Sequence, residues 1–157
     1  MSAPRKADSA ATAPILEAEG LTVRFRGKDG AETLAVADFS LTVRPGDFIG
    51  IMGEPGCGKS TAAIALIGLV RPPGRITGGS VRFMGRELLT MEDDEIAAIR
   101  GKDIGLIVQN PRTSLHPMLT VGNQISRVYR AHNKVSKKAA WRHAIDMLRM
   151  VGMNDPE

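Results

Sequence analysis

The sequence predicts an α/β fold in which a phosphate-binding loop joins a strand to a helix. The main observation is the stretch Gly53-Glu54-Pro55-Gly56-Cys57-Gly58-Lys59-Ser60-Thr61, which matches the spacing G-x-x-x-x-G-K-[S/T] without a gap. An apolar run at residues 48–52 precedes this stretch, and a second run at residues 62–69 follows it. The order of strand, glycine loop and helix is the one that a P-loop NTPase requires.

The residue types in the loop have a chemical reason. Its three glycines let the backbone curl so that successive N–H groups point into one anion-sized hollow. The helix that begins near Lys59 adds the positive end of its dipole. Lys59 is expected to neutralise the outer phosphates of a nucleotide, and the Ser60 hydroxyl is expected to ligate Mg²⁺. The alternative, a glycine-rich turn with a surface lysine, does not account for the flanking strand and helix patterns.

Length and composition fit one ordinary globular domain. The chain has 157 residues, of which 43% are hydrophobic and 24% are charged. The net charge of +4 is spread without a basic run, and aromatic residues make up only 4%, so we expect a solvated basic surface and no nucleic-acid partner. No apolar run approaches the roughly 20 residues that a bilayer span needs.

The single cysteine, Cys57, lies inside the loop and cannot form an internal disulfide. A reactive thiol at a helix N-terminus is one interpretation, and a small residue that merely fits the loop is the one we favour. Pro55 has no N–H to donate, so it is expected where no phosphate contact is needed. The three histidines lack the spacing of metal ligands, so the sequence predicts no zinc site.

The segments before the loop predict an antiparallel β region. Residues 1–14 lack the apolar stretch of a signal peptide and predict a disordered tail. Residues 15–25 alternate apolar and polar side chains, and residues 34–43 return as a second strand pattern after a glycine-containing turn. A turn at residues 45–47 leads into the strand before the loop.

The segments after the loop helix predict alternating short elements. A proline-rich breaker at residues 71–74 ends the helix, and residues 80–84 form a short strand. Residues 92–100 suit a helix with an acidic first turn. The apolar run at residues 104–108 predicts a buried strand that delivers Gln109 to an exposed position, where open α/β sheets bind ligands.

Two helices end the chain. Thr120 can cap a helix that runs to about His132, and Ser136 can cap another that ends at Gly152. Methionines 147, 150 and 153 are expected to fill a core or an interface. The apolar stripe predicted on the second helix consists of Ala140, Ala144, Met147, Leu148 and Val151.

Several landmarks besides the loop point to one nucleotide-binding family. The guanine-reading motif Asn-Lys-x-Asp is not matched, since residues 133–136 lack the aspartate. Residues 41–47 and 107–117, together with the loop, resemble the ATP-binding subunit of ABC transporters. The stretches before and after the Gln109 loop, residues 100–104 and 119–125, are similar to the dipeptide and oligopeptide importer branch, which includes nickel importers.

The resemblance implies roles for individual residues. Gln109 matches the Q-loop glutamine, which in the family contacts Mg²⁺ and the attacking water and relays the presence of γ-phosphate to the membrane subunits. Phe25 falls where the family has an aromatic residue that stacks on adenine, and Thr61 matches a contact to the α-phosphate. Lys59 and Gln109 are thus the expected catalytic residues, with Ser60 and Gln109 at Mg²⁺. The residues assigned to ATP binding are Phe25, Gly53, Glu54, Pro55, Gly56, Cys57, Gly58, Lys59, Ser60 and Thr61.

The resemblance also implies partners and a domain organisation. Integral membrane subunits of an importer and a second ATP-binding subunit are expected at the cytoplasmic face of the membrane. Residues 15–157 are expected to form a partial ABC-type ATP-binding domain with bound ATP and Mg²⁺. Its β region and P-loop core would span residues 15–117, and the start of its helical subdomain residues 118–157.

The sequence departs from the family where it stops. No signature motif, Walker B segment or switch histidine follows Gln109, so we expect a truncated, N-terminal portion that binds nucleotide weakly and does not hydrolyse it alone. Strands such as residues 104–108 would lack neighbours, and the isolated chain is expected to aggregate. Two other functions stay open: a non-catalytic nucleotide-binding half-domain completed by another chain, and a P-loop kinase of small molecules.

Overall fold

The computed structural model describes residues 13–155, so the predicted tail at residues 1–14 lies almost wholly outside the described part of the chain. The chain divides into two compact units, Met1–Met91 and Glu92–Glu157. The first unit contains an antiparallel sheet and the phosphate-binding loop. The second unit is helical.

The sheet of the first unit has four antiparallel strands in the order β2-β1-β3-β4. The strands are β1 (Leu16–Arg26), β2 (Glu32–Val43), β3 (Gly74–Phe83) and β4 (Arg86–Glu87). The alternating patterns before the loop therefore predict β1 and β2 correctly. Strand β3 begins well before the predicted residue 80, because its first half pairs with β1, with Phe25 opposite Gly74.

The loop helix α1 (Lys59–Ala65) packs against β1 and β2, and it begins where the sequence predicts. It ends before the predicted residue 69, since the chain turns at Gly68 with a φ of 63°. Beneath it lies an apolar core that includes Leu21, Val23 and Val81. The core of the first unit consists of Ala18, Leu21, Val23, Val36, Ala62, Ala65, Leu66, Ile67, Val81, Phe83 and Leu88.

Two predicted strands do not form. Residues 48–52 are irregular, and Phe48 and Met52 are almost fully exposed. Residues 104–108, in the second unit, form only an isolated bridge between Arg100 and Ile104. A strand exists through hydrogen bonds to a neighbouring strand, and within residues 13–155 no strand pairs with either segment. The prediction of strands at these two apolar runs, one of them buried, is therefore wrong for the local structure of this chain.

The second unit contains α2 (Asp93–Ile99), a short 3₁₀ turn (Pro111–Ser114), α3 (Val121–His132) and α4 (Lys137–Met150). The predicted caps are present. The Oγ1 atom of Thr120 accepts a hydrogen bond from the N–H of Asn123 at 3.3 Å, and the Ser136 hydroxyl accepts one from Ala139 at 3.2 Å. Among the described residues, no helix is both long and apolar enough to cross a membrane.

Helices α3 and α4 pack against each other. Ala140, Ala144 and Leu148 are buried, which confirms most of the stripe predicted on α4. Val151 was wrongly included: it lies just past the end of the helix, where the chain turns at Gly152, and its side chain is exposed. Of the three methionines expected to fill a core or interface, Met150 and Met153 are exposed in this unit.

Candidate phosphate-binding site

The loop between residues 53 and 58 depends on glycine at three positions for two different reasons. Gly56 and Gly58 have φ values of 83° and 94°, in the left-handed region that other residues rarely adopt. A Cβ atom on Gly58 would also overlap the carbonyl oxygen of Ala35 in β2. At Gly53 the reason is a close approach, since a Cβ there would lie 2.7 Å from the sulfur of Cys57.

The side chain of Lys59 folds back across the loop. Its Nζ atom donates hydrogen bonds to the carbonyl oxygens of Gly53 at 2.8 Å and Glu54 at 2.6 Å, and it lies 3.5 Å from the Cys57 sulfur. The ammonium group thereby joins the two ends of the loop. Because these partners are carbonyls, the full positive charge of Lys59 is available to an anion that enters the loop.

Several backbone donors at the start of α1 are unsatisfied. The first hydrogen bond of the helix runs from the N–H of Ala62 to the carbonyl of Gly58 at 2.8 Å, and no side chain caps the helix. Within the described part of the chain, the N–H groups of Lys59, Ser60 and Thr61 have no acceptor. These donors and the helix dipole fit a phosphate group, and the exposed Ser60 hydroxyl is the hard oxygen ligand that Mg²⁺ prefers.

A cavity of about 450 Å³ adjoins the loop. One wall is formed by Cys57, Gly58 and Lys59, and the other by residues of β2 that include Ala35 and Phe39. None of these β2 residues was predicted from the sequence as part of the site. They contribute because the loop packs against β2. The sequence signal for this contact is Gly58, whose lack of a side chain lets the loop backbone approach the backbone of β2.

Two predicted site residues lie elsewhere. Phe25 does not line this cavity: the edge of its ring faces Gly74, where a Cβ atom would lie 2.6 Å from the Cε1 atom of the ring. Gln109 is exposed and belongs to the second unit, two residues before the 3₁₀ turn. The roles of Phe25 at adenine and of Gln109 at Mg²⁺ therefore stay predictions.

Comparison with known proteins identifies sequence relatives over most of the chain. Residues 36–157 match the family model described as ABC transporter. The chain is 42% identical over 145 residues to the oligopeptide transport ATP-binding protein OppD of Mycobacterium tuberculosis, covering 92% of this chain and 23% of that protein. It is 43% identical to OppD of Salmonella typhimurium, and that match covers 88% of this chain and 41% of that protein. It is 38% identical to the dipeptide transport ATP-binding protein DppD of Bacillus subtilis, and the match covers 90% of this chain and 42% of that protein.

The chain thus spans less than half the length of these curated relatives. Among solved structures, it resembles the dimeric ATP-binding cassette MJ0796 in a post-hydrolysis state bound to ADP and Pi, with a TM-score of 0.72 and 23% identity. The superposition covers 89% of this chain and 58% of the other. At this identity the match establishes the fold of the cassette.

Proposed function

The chain belongs to the ABC transporter family, and we propose that it binds the phosphates of ATP with Mg²⁺ in the loop at residues 53–61. The observation that carries the proposal is the set of open donors around that loop. Three backbone N–H groups at the start of α1 have no acceptor in the described part of the chain, and the Lys59 ammonium is held beside them by two carbonyls and a weaker contact with the Cys57 sulfur.

The chemistry of the loop follows from these groups. The Lys59 ammonium would exchange its two carbonyl partners for the outer phosphates, and the N–H groups of Ser60 and Thr61 would donate to the inner ones. Mg²⁺ would supply charge neutralisation between phosphates, with the Ser60 hydroxyl as one of its ligands. Nothing in this arrangement provides a positioned water, so binding and hydrolysis are separable properties.

Gln109 and Phe25 complete the proposed nucleotide chemistry. We assign to Gln109 the contact with Mg²⁺ and the attacking water, because its amide offers both an oxygen ligand and an N–H donor. We assign to Phe25 the stacking on adenine. Its ring supplies a π-face, and it is half-buried at the end of β1 in the same unit as the loop.

At the level of the whole protein, we propose an energy-coupling ATP-binding subunit for the import of peptides or a related small solute. Support comes from the relatives named for oligopeptide and dipeptide transport. Its partners would be integral membrane subunits and a second ATP-binding subunit at the cytoplasmic membrane face.

The test is a titration of the chain with MgATP, followed by calorimetry, and a parallel assay of phosphate release. We expect saturable binding that Lys59→Ala weakens by at least about tenfold, because the substitution removes a charge-assisted contact worth roughly 1.5–3 kcal/mol. Lys138→Ala on α4 is the matched control and should bind like the unmodified chain. A folded chain that shows no heat of binding would refute the proposal.

Hydrolysis is tested separately. We expect the 157-residue chain to release no more phosphate than its Lys59→Ala variant. Turnover above that control would show that the described loop and Gln109 suffice for catalysis, and it would contradict the expectation that hydrolysis needs a signature motif and a Walker B segment.

The exposure of apolar segments favours a second candidate function, a nucleotide-binding half-domain completed by another polypeptide. In the first unit Phe48 and Met52 are exposed, and in the second unit Ile107 is exposed. Such side chains favour burial against further strands. Co-purification of a separate chain with signature and Walker B segments would support this candidate, whereas one continuous reading frame containing them would exclude it.

A further inference from the structure

A cavity of about 740 Å³ at one end of the sheet in the first unit is lined by more basic than acidic side chains. Three basic side chains, Arg26, Lys28 and Arg75, line it together with one acidic side chain, Glu32. No residue of the phosphate-binding loop contributes to it. Its volume is in the range of small-molecule sites, about 300–1,000 Å³.

The strand register concentrates positive charge beside this cavity. Arg24 of β1 lies directly opposite Arg75 of β3, and Arg26 lies opposite Glu32 of β2. Like charges that face each other across two strands destabilise a sheet unless a counter-charge is near. Glu32 supplies a counter-charge here, since it lies opposite Arg26 and forms an ion pair with Arg75.

Glu32 neutralises only part of this charge. Its Oε1 atom accepts a hydrogen bond from Arg75 at 2.5 Å, while Arg24 and Arg26 act on it from farther away. These contacts hold the pKa of Glu32 below its usual value of 4.5, with the hydrogen bond from Arg75 as the main cause. The neighbouring carboxylate of Asp29 instead accepts a hydrogen bond from the N–H of Ala31 at 3.0 Å within its own turn. The cavity lining therefore keeps an excess of positive charge.

We propose that this cavity is a second anion site, separate from the nucleotide loop, which binds a doubly charged oxyanion of the phosphate type. Guanidinium groups match phosphate oxygens with two parallel hydrogen bonds, and an ammonium adds a mobile point charge. Arg26 and Lys28 are both exposed, so their side chains can reach a ligand in the cavity. The phosphate can be that of a free small molecule or that of an anionic lipid headgroup.

The first experiment titrates inorganic phosphate into the full chain carrying Lys59→Ala, which removes the main cation of the nucleotide loop. We expect residual saturable binding that Arg26→Gln weakens by about fivefold, the effect of one exposed charge pair. Arg82→Gln is the matched control, because it removes the same charge from the same sheet outside the cavity. Equal effects of the two variants, or no saturable binding, would overturn the proposal.

Glu32→Gln should change phosphate affinity in the direction opposite to Arg26→Gln. This variant therefore distinguishes a binding role of the cavity from a merely structural one. Because Glu32 competes with the ligand for Arg75, its neutralisation should tighten phosphate binding by about threefold or more. A loss of binding in this variant would overturn the proposal. Since all these titrations use a chain with a disabled nucleotide loop, a failure of the proposed ATP site would leave their outcome unchanged.

Vesicles distinguish the two sources of the phosphate. If a lipid headgroup is the ligand, vesicles with phosphatidylglycerol should retain the full chain, vesicles of phosphatidylcholine should not, and Arg26→Gln should reduce retention. If only free phosphate binds in an Arg26-dependent way, the ligand is a small molecule. If Arg26→Gln changes neither phosphate binding nor vesicle retention, the proposed anion site is contradicted.

Discussion

Gly58 lies directly against the backbone carbonyl of Ala35, so closely that a Cβ atom on Gly58 would overlap the carbonyl oxygen. The contact joins the phosphate-binding loop to β2 at the position from which α1 begins. Because the first free N–H groups of α1 follow immediately, the contact fixes where those donors point. The geometry of the loop thus depends on a strand that is distant from it in sequence.

The first prediction compares alanine substitutions at two glycines of the loop. Gly56 and Gly58 both have positive φ, but only Gly58 has backbone atoms in the space that a Cβ would need. Gly56→Ala should lower the free energy of unfolding by about 1–2 kcal/mol, the cost of a left-handed alanine. Gly58→Ala should cost more and should also abolish MgATP binding, because α1 must move away from β2. Equal stability and equal ATP affinity of the two variants, measured by denaturant unfolding and calorimetry, would contradict this.

The second prediction concerns the thiol of Cys57. Its polar contact is the Lys59 ammonium at 3.5 Å, and that ammonium already has two carbonyl partners. Cys57→Ser should therefore change ATP affinity by less than about threefold, since only a weak interaction is exchanged. In the unmodified chain, MgATP should slow alkylation of the exposed Cys57 by N-ethylmaleimide through steric cover. A large loss of affinity in the serine variant would show that the thiol itself contributes to binding.

Features with local causes could be predicted from the sequence. Alternating side chains predict β1 and β2 because the side chains of a strand alternate between its two faces with a period of two. Thr120 and Ser136 predict two helix starts because a capping hydroxyl accepts a hydrogen bond from the N–H only three residues later in the chain. The start of α1 at Lys59 follows from the glycine immediately before it.

Features with long-range causes could not be predicted. The apolar run at residues 48–52 has the composition of a strand, but a strand also needs a partner, and the sequence of one segment does not reveal whether a partner is present. The contact of Phe25 with Gly74 depends on the pairing of β1 with β3. In the same way, the wall that β2 contributes to the candidate site depends on tertiary packing rather than on a motif.

The third prediction follows from the ion pair of Glu32 and Arg75. Because the pKa of Glu32 is lowered in the folded chain, the pair contributes stability above the usual pKa of 4.5 and loses it as the pH falls through the lowered value. Arg75→Gln should return the pKa of Glu32 towards its usual value and reduce the loss of stability as the pH falls below about 4.5. Carboxyl NMR titration measures the pKa directly.

The control for this prediction is Arg82→Gln. Arg82 pairs with Glu19 at 3.7 Å in the same sheet, so its removal changes the net charge equally and leaves the Glu32 contact intact. Identical titration of Glu32 in the two variants would show that general charge, rather than the hydrogen bond from Arg75, lowers the pKa.

The last prediction uses Trp141, the single tryptophan of the chain, as a reporter of helix packing in the second unit. A Cβ atom on Gly122 of α3 would lie 3.0 Å from the Cη2 atom and 3.1 Å from the Cζ3 atom of that ring. Gly122→Ala gains helix propensity of up to about 1 kcal/mol, which opposes the cost of moving the ring. Since Trp141 is already 38% exposed, the ring can tilt outwards, and we expect little net change in stability but a red shift of its fluorescence. Gly105→Ala, where nothing lies near the new Cβ, should leave the spectrum unchanged. An unshifted spectrum in Gly122→Ala would show that Trp141 does not rest on α3 at this point.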